Sequence, residues 1–128
     1  MAEDIEVVRR EFIVLIRKRK RIVPRDLPCR WLPWVVSDPR SGQPFTPNGA
    51  WDFVAERLEA SEQICEITLD NPAGKKGYVM EIDLGVDVPK LYIKLQRGSG
   101  VAMGRSFHPS NPRRGEDSST RPIRRIFL

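Results

Sequence analysis

The stretch "LYIKLQRGSGVAMGRSFH", residues 91–108, brings together a phenol, an ammonium, a guanidinium, a hydroxyl and the one histidine of the chain. Imidazole exchanges protons near neutral pH, a phenol donates a hydrogen bond, and fixed cations stabilise an anionic phosphate. Tyr92, Lys94 and His108, with Ser106 beside them, are therefore a sufficient kit for metal-free cleavage of RNA, in which the 2′-hydroxyl attacks the adjacent phosphate, and Arg105 is a further candidate for binding that phosphate. A polar solvent face on an antiparallel sheet uses the same residue types for solubility alone. Side-chain chemistry leaves both readings open at this point.

Whether these groups meet depends on the hairpin register. A three-residue Gly98-Ser99-Gly100 loop, with glycine available for the positive-φ position, pairs Leu95 with Met103, Ile93 with Arg105 and Leu91 with Phe107. The opposite face then pairs Gln96 with Ala102, Lys94 with Gly104, Tyr92 with Ser106 and Lys90 with His108. A two-residue loop would mix the polar and apolar sets, because a one-residue slip flips every side chain. The expectation is that Tyr92, Lys94, Ser106 and His108 share a face away from the core. Gly104 and Ala102 would leave open surface beside Lys94 and Gln96. Arg105 falls on the core side unless it snorkels or a bulge re-aims it.

The elements that must hold this hairpin are legible from period and punctuation. Ile5, Val8, Phe12, Leu15 and Ile16 recur at helical spacing and predict a helix over 3–20, acidic at its start. The "RKRKR" run, Arg17–Arg21, complements its C-terminal end. Five prolines between Val23 and Phe45 exclude regular helix and central strand, yet Trp31 and Trp34 are too apolar for a free linker. An irregular segment is expected there, its two tryptophans packed on the domain, with a short edge strand near 33–37. "TPNGAWDFVAERLEA" predicts a helix over 47–60, capped by Thr46, with Pro47 at its first position and Trp51, Val54, Ala55 and Leu58 on one face. The period then changes to two, and four strands over 63–108 with short connections imply an antiparallel meander. The fold class is α+β: N-terminal helices on a four-stranded antiparallel meander, one domain over 1–108 and a mobile basic tail over 109–128.

Composition narrows the class. Of 128 residues, 40% are apolar and 30% charged, enough for one modest core. The net charge of +5 is carried by the two ends, which suit nucleic acid or an acidic protein, whereas residues 31–108 have an excess of acids. No apolar run approaches the roughly 20 residues that span a bilayer. The start "MAEDIEVV" is acidic where a secretory signal is basic, so a cytoplasmic protein without membrane attachment is expected. Cys29 and Cys65 are isolated and are expected to be reduced, packed thiols. One histidine, unpaired cysteines and no phosphate-loop pattern leave metal and nucleotide-cofactor enzymes little to work with, so no metal or cofactor is expected.

The pattern "LYIKL…GRSFH", after a capped helix and two strands, resembles the mRNA-cleaving toxins of bacterial toxin–antitoxin pairs, specifically the MqsR branch of the RelE-like fold. The resemblance covers residues 47–108. It implies a short helical layer on a twisted antiparallel sheet and a metal-independent endoribonuclease that is neutralised by a cognate antitoxin protein. Ribosome association is possible within that family. Tyr92 would correspond to the family's catalytic tyrosine, Lys94 to the lysine two residues later, and His108 to the basic residue after Ser-Phe. Lys75, Lys76, Gln96 and Arg97 are candidates for holding RNA. The first thirty residues, the Pro/Trp segment and the C-terminal extension have no counterpart in the family pattern. The alternative from the residues themselves is a non-catalytic RNA- or protein-binding module using the basic termini.

Overall fold

The computed structural model describes residues 4–70 and 73–110. Helix α1, Ile5–Arg17, is capped by Asp4, whose carboxylate accepts from the Glu6 amide at 2.9 Å, and it buries Val8, Phe12 and Ile16. It outlasts the apolar stripe by one residue and stops short of the expected end at 20, because Arg19 turns into the left-handed region, φ 60°. That turn sends the chain directly into a two-residue strand, β1, Arg21–Ile22.

The Pro-rich segment contributes a second short strand, β2, Arg30–Trp31, and then a 3₁₀ turn, Pro33–Val35. The edge strand expected near 33–37 therefore lies a few residues earlier. The Leu32 amide still donates to the Phe107 carbonyl at 2.9 Å, and the chain then leaves the ladder in the 3₁₀ turn that Pro33, with its fixed φ, begins. Helix α2, Pro47–Glu59, starts where Thr46 Oγ1 accepts from the Gly49 amide. Its buried face is Ala50, Trp51, Phe53, Val54, Ala55 and Leu58.

Strands β3 (Cys65–Asp70), β4 (Ala73–Ile82), β5 (Leu91–Arg97) and β6 (Ala102–Pro109) form the antiparallel meander. The sheet is nevertheless mixed and larger than four strands. Its order is β1-β6-β5-β4-β3, and β1 and β2 pair in parallel with successive parts of the free edge of β6. That pairing is long-range and comes from segments too short to show a period, which is why the meander alone is visible in the sequence. The tail expected over 109–128 lies outside the described residues, apart from Pro109 and Ser110.

Both helices cover one face of the sheet. Met80, Ile93, Phe107 and Trp31 form one cross-strand row of that core, and Tyr78, Leu95 and Gly104 form another. Trp31 stacks on Trp51 at 4.6 Å and tilts on Phe107 at 5.3 Å, while Phe45 bridges Phe107 and Phe53. Trp31 packs as expected; Trp34 does not, and is 61% exposed on the 3₁₀ turn. Of the two cysteines, Cys29 is half-buried and Cys65 is exposed, correcting the expectation of two packed thiols. The register Cys65↔Val79 places Cys65 on the face without helices.

The hairpin register differs from expectation twice. The Gly98 amide donates to Val101 O at 2.9 Å and Arg97 pairs with Ala102, so the loop has four residues, 98–101, with Gly100 at φ 74°. This moves Ala102 and Gly104 to the core side and Met103 to the open side. A bulge then intervenes: Leu95 opposes Gly104 and Lys94 opposes Ser106, leaving Arg105 as the extra residue. Beyond the bulge the original faces return. The longer loop has a packing cause, since a Cβ on Gly104 would lie 2.7 Å from the Trp31 ring. Gly104 is thus not open surface but the seat of Trp31. Replacing Gly104 by Ala should destabilise the protein by about 1–3 kcal/mol, the usual cost of overpacking. Urea unfolding of Gly104→Ala, beside a Ser99→Ala control in the exposed loop, measures it. A variant as stable as the control would show that Trp31 does not rest on Gly104.

Candidate functional site

The face of the sheet opposite the two helices carries two cross-strand rows. One runs Cys65, Val79, Lys94, Ser106 and Arg30, from β3 across to β2. The next runs Glu81, Tyr92 and His108. Tyr92, Lys94, Ser106 and His108 thus share one face, with Tyr92 opposite His108 and Lys94 opposite Ser106. The expected partners were each one pair away. The extra loop residue and the bulge together shift the register by an even number, so the face survives while the partners change.

Tyr92 and His108 lie with ring centroids 5.4 Å apart and planes inclined by 33°. His108 Nδ1 is 2.9 Å from the Pro109 carbonyl oxygen, which can only accept. In the neutral ring Nδ1 therefore carries the hydrogen and Nε2 keeps its lone pair. Burial holds the imidazole below its ordinary pKa, and the charges of Arg30 and Lys94 add to that; the Pro109 bond opposes it. Lys94 is also depressed, by burial first and by Arg105 second, with Cys29 and Asp70 acting the other way. The Tyr92 phenol is pushed up to about 12, chiefly by burial and further by Glu81. At neutral pH this face therefore offers a neutral imidazole with an accepting nitrogen, a phenol that keeps its proton, and an ammonium in an unfavourable setting.

Arg105 is placed differently from a phosphate-binding arginine. The bulge does re-aim it off the core, but it is 4% exposed. Its Nε and Nη2 donate to Pro28 O at 3.2 and 2.9 Å, and its Nη1 donates to Gln96 Oε1 at 2.6 Å. Gln96 is buried by the same contact, and Ser106 is buried beside them. Arg105 thus acts on the site as a fixed charge close to Lys94 and as a tie to the segment before β2.

The remaining candidates cluster elsewhere. Lys75, Lys76, Gln96 and Arg97 all line a separate groove of about 260 Å³ that also includes Gly74 and Tyr78. Lys76 is paired with Glu66 at 2.8 Å, and Arg97 lies on the helix side, paired with Glu11 at 2.8 Å and over the Tyr78 ring. Lys75 is exposed.

Two residues join the site that were not singled out from sequence. Arg30 arrives through the parallel pairing of β2, for which a two-residue strand among prolines offers no signal. Glu81 is cross-strand from Tyr92, and the alternation of β4 already places it on this face.

The depressed imidazole couples this site to stability. Between the folded value and the ordinary 6.5, the unfolded chain binds a proton that the folded protein refuses. Stability therefore falls as pH drops through that window. An NMR titration should place the His108 midpoint below 6.5, and His108→Gln should remove that part of the slope in pH-dependent unfolding. A midpoint at or above 6.5 would contradict the burial described. Compared with family models, curated proteins and solved structures, the chain matches none.

Proposed function

We propose that the open sheet face is the active site of a metal-independent endoribonuclease. One observation carries the reading: a neutral-poised imidazole sits opposite a phenol and within the field of Arg30 and Lys94, all on the sheet face opposite the helices. The ammonium of Lys94 is destabilised by burial and by Arg105, and an entering phosphate relieves both effects. In the reaction, His108 Nε2 takes the proton of the ribose 2′-hydroxyl. The 2′-oxygen forms its bond to phosphorus while the P–O5′ bond breaks, and Tyr92 supplies the proton that the 5′-oxygen needs. The products are a 2′,3′-cyclic phosphate and a 5′-hydroxyl.

Assignment to a toxin with a cognate antitoxin rests on the Tyr-x-Lys and Ser-Phe-His pattern described above, as does ribosome association. A reducing cytoplasm suits the two free thiols. No helix among the described residues is long and apolar enough to cross a membrane.

His108→Ala and Tyr92→Phe should each reduce cleavage of single-stranded RNA about 10²–10⁴-fold, the usual share of a placed acid or base. Lys94→Met should lose activity alongside them. The measurement is product analysis on an end-labelled RNA, with the cyclic phosphate as the diagnostic end. Salt-sensitive RNA binding by the wild-type protein with no product would replace this reading by the non-catalytic binding module. Cleavage at wild-type rate by both variants would remove these residues from the mechanism. Induced expression that arrests growth, relieved by an adjacently encoded protein, tests the toxin assignment separately.

A further inference from the structure

Beside Tyr92, on the side away from His108, the open face deepens into a groove of about 460 Å³. That volume is within the roughly 300–1,000 Å³ range of small-molecule sites. Val79, Cys65 and Tyr92 come from neighbouring positions of β3, β4 and β5, and Glu62, Glu81 and Lys90 also line it. Two carboxylates next to a face that would hold an anionic backbone are a problem for the ribonuclease reading, because each repels phosphate. They make sense if the part of the substrate entering the groove is rich in hydrogen-bond donors.

We infer that this groove is a base-recognition subsite that takes a nucleobase by its amino edge, guanine in first place; the inference rests on the ribonuclease reading. Apolar Val79 and the Tyr92 ring suit the faces of a planar base, for which stacking on aromatic side chains is the common mode in single-stranded RNA. The edge is read by charge. A carboxylate accepts two adjacent donors, and the Watson–Crick edge of guanine presents N1–H and the N2 amino group side by side. Adenine and cytosine present an amino group beside a ring acceptor, and uracil presents one N–H between two carbonyls, so uracil fits worst.

The two acids are engaged lightly enough to serve. Glu81 accepts from the Ser110 hydroxyl through Oε2 at 3.1 Å, and Glu62 meets Arg57 only at 4.0 Å, through Oε1. Each carboxylate has a second oxygen that these contacts do not use. Among the described residues no group of three or more His, Cys, Asp or Glu side chains is placed to hold a metal ion, so the pair does not belong to such a cluster. Lys90 at the same groove supplies a cation for the phosphate of a nucleotide seated there.

The test uses the full chain and short single-stranded RNAs made uncleavable by a 2′-O-methyl group at every position, differing only in carrying guanine, hypoxanthine or uracil at one central site. Fluorescence anisotropy should show guanine bound at least about fivefold tighter than uracil, the lower end of what a bidentate base contact discriminates. Hypoxanthine, lacking the N2 amino group, should lose most of that advantage. The double substitution Glu62→Gln with Glu81→Gln should bring the guanine-to-uracil ratio close to one, while uracil binding stays level or tightens as two negative charges disappear. Equal binding of guanine and uracil by the wild type, or a ratio that survives the double substitution, overturns the subsite. Wild-type protein that shows the preference but never cleaves the all-ribose RNA retires the ribonuclease reading and leaves the groove standing.

Discussion

Arg105 and the bulge that carries it hold the two halves of this protein in register. On the loop side of the bulge, β6 answers to the core, because the Trp31 ring needs a glycine beneath it and the first residues of the strand turn accordingly. On the far side it answers to the pairing of Phe107 with Ile93 and Trp31, which fixes Ser106 and His108 outward. One unpaired residue reconciles these demands. The guanidinium of that residue is then held by Pro28 and Gln96, so the irregular segment and the sheet are tied at the point where the ladder is interrupted. Charge-assisted bonds to buried groups are the stronger class of hydrogen bond, and losing one strands its partner without water.

The distribution of partners around the cations separates framework from site. Arg40 is held by Asp38 and Glu56, Arg17 by Glu59 and Asp52, and Arg97 by Glu11, all of them bracing the helical layer or its contact with the sheet. Arg17 and Arg40 are accordingly raised, each chiefly by its carboxylate hydrogen bond. On the open face the sign reverses: burial and neighbouring positive charges lower Lys94 and His108. Such an arrangement costs folding stability, which sets this face apart from a fully solvated sheet surface, and on the reading proposed above a bound anion would offset that cost.

Much of this was readable before the fold was known, and the limits have physical causes. Both helices follow from apolar spacing and their caps, and the meander follows from the change of period after residue 60. The face shared by Tyr92, Lys94, Ser106 and His108 was legible because alternation along each strand is local. What could not be read was whatever depends on a partner distant in the chain. β1 and β2 are strands only because β6 offers a free edge, and the hairpin loop is longer than its Gly-Ser-Gly core suggests because Trp31, far upstream, occupies the space at Gly104. Met103 looked like the inward residue because it is more apolar than Ala102 or Gly104; the core asked for small volume there rather than hydrophobicity.

The division of β6 also bears on how such a protein can diverge. Its outer edge is covered by two separate two-residue strands, and its inner ladder is broken between them, so the hairpin tip and the segment bearing His108 are anchored independently. A strain at the tip stops at the discontinuity of the ladder, so the distal half is held by β2 whatever the tip does. The tip is therefore open to change in composition, its length bound by the seat of Trp31 on Gly104, while the face carrying Ser106 and His108 keeps its own anchor.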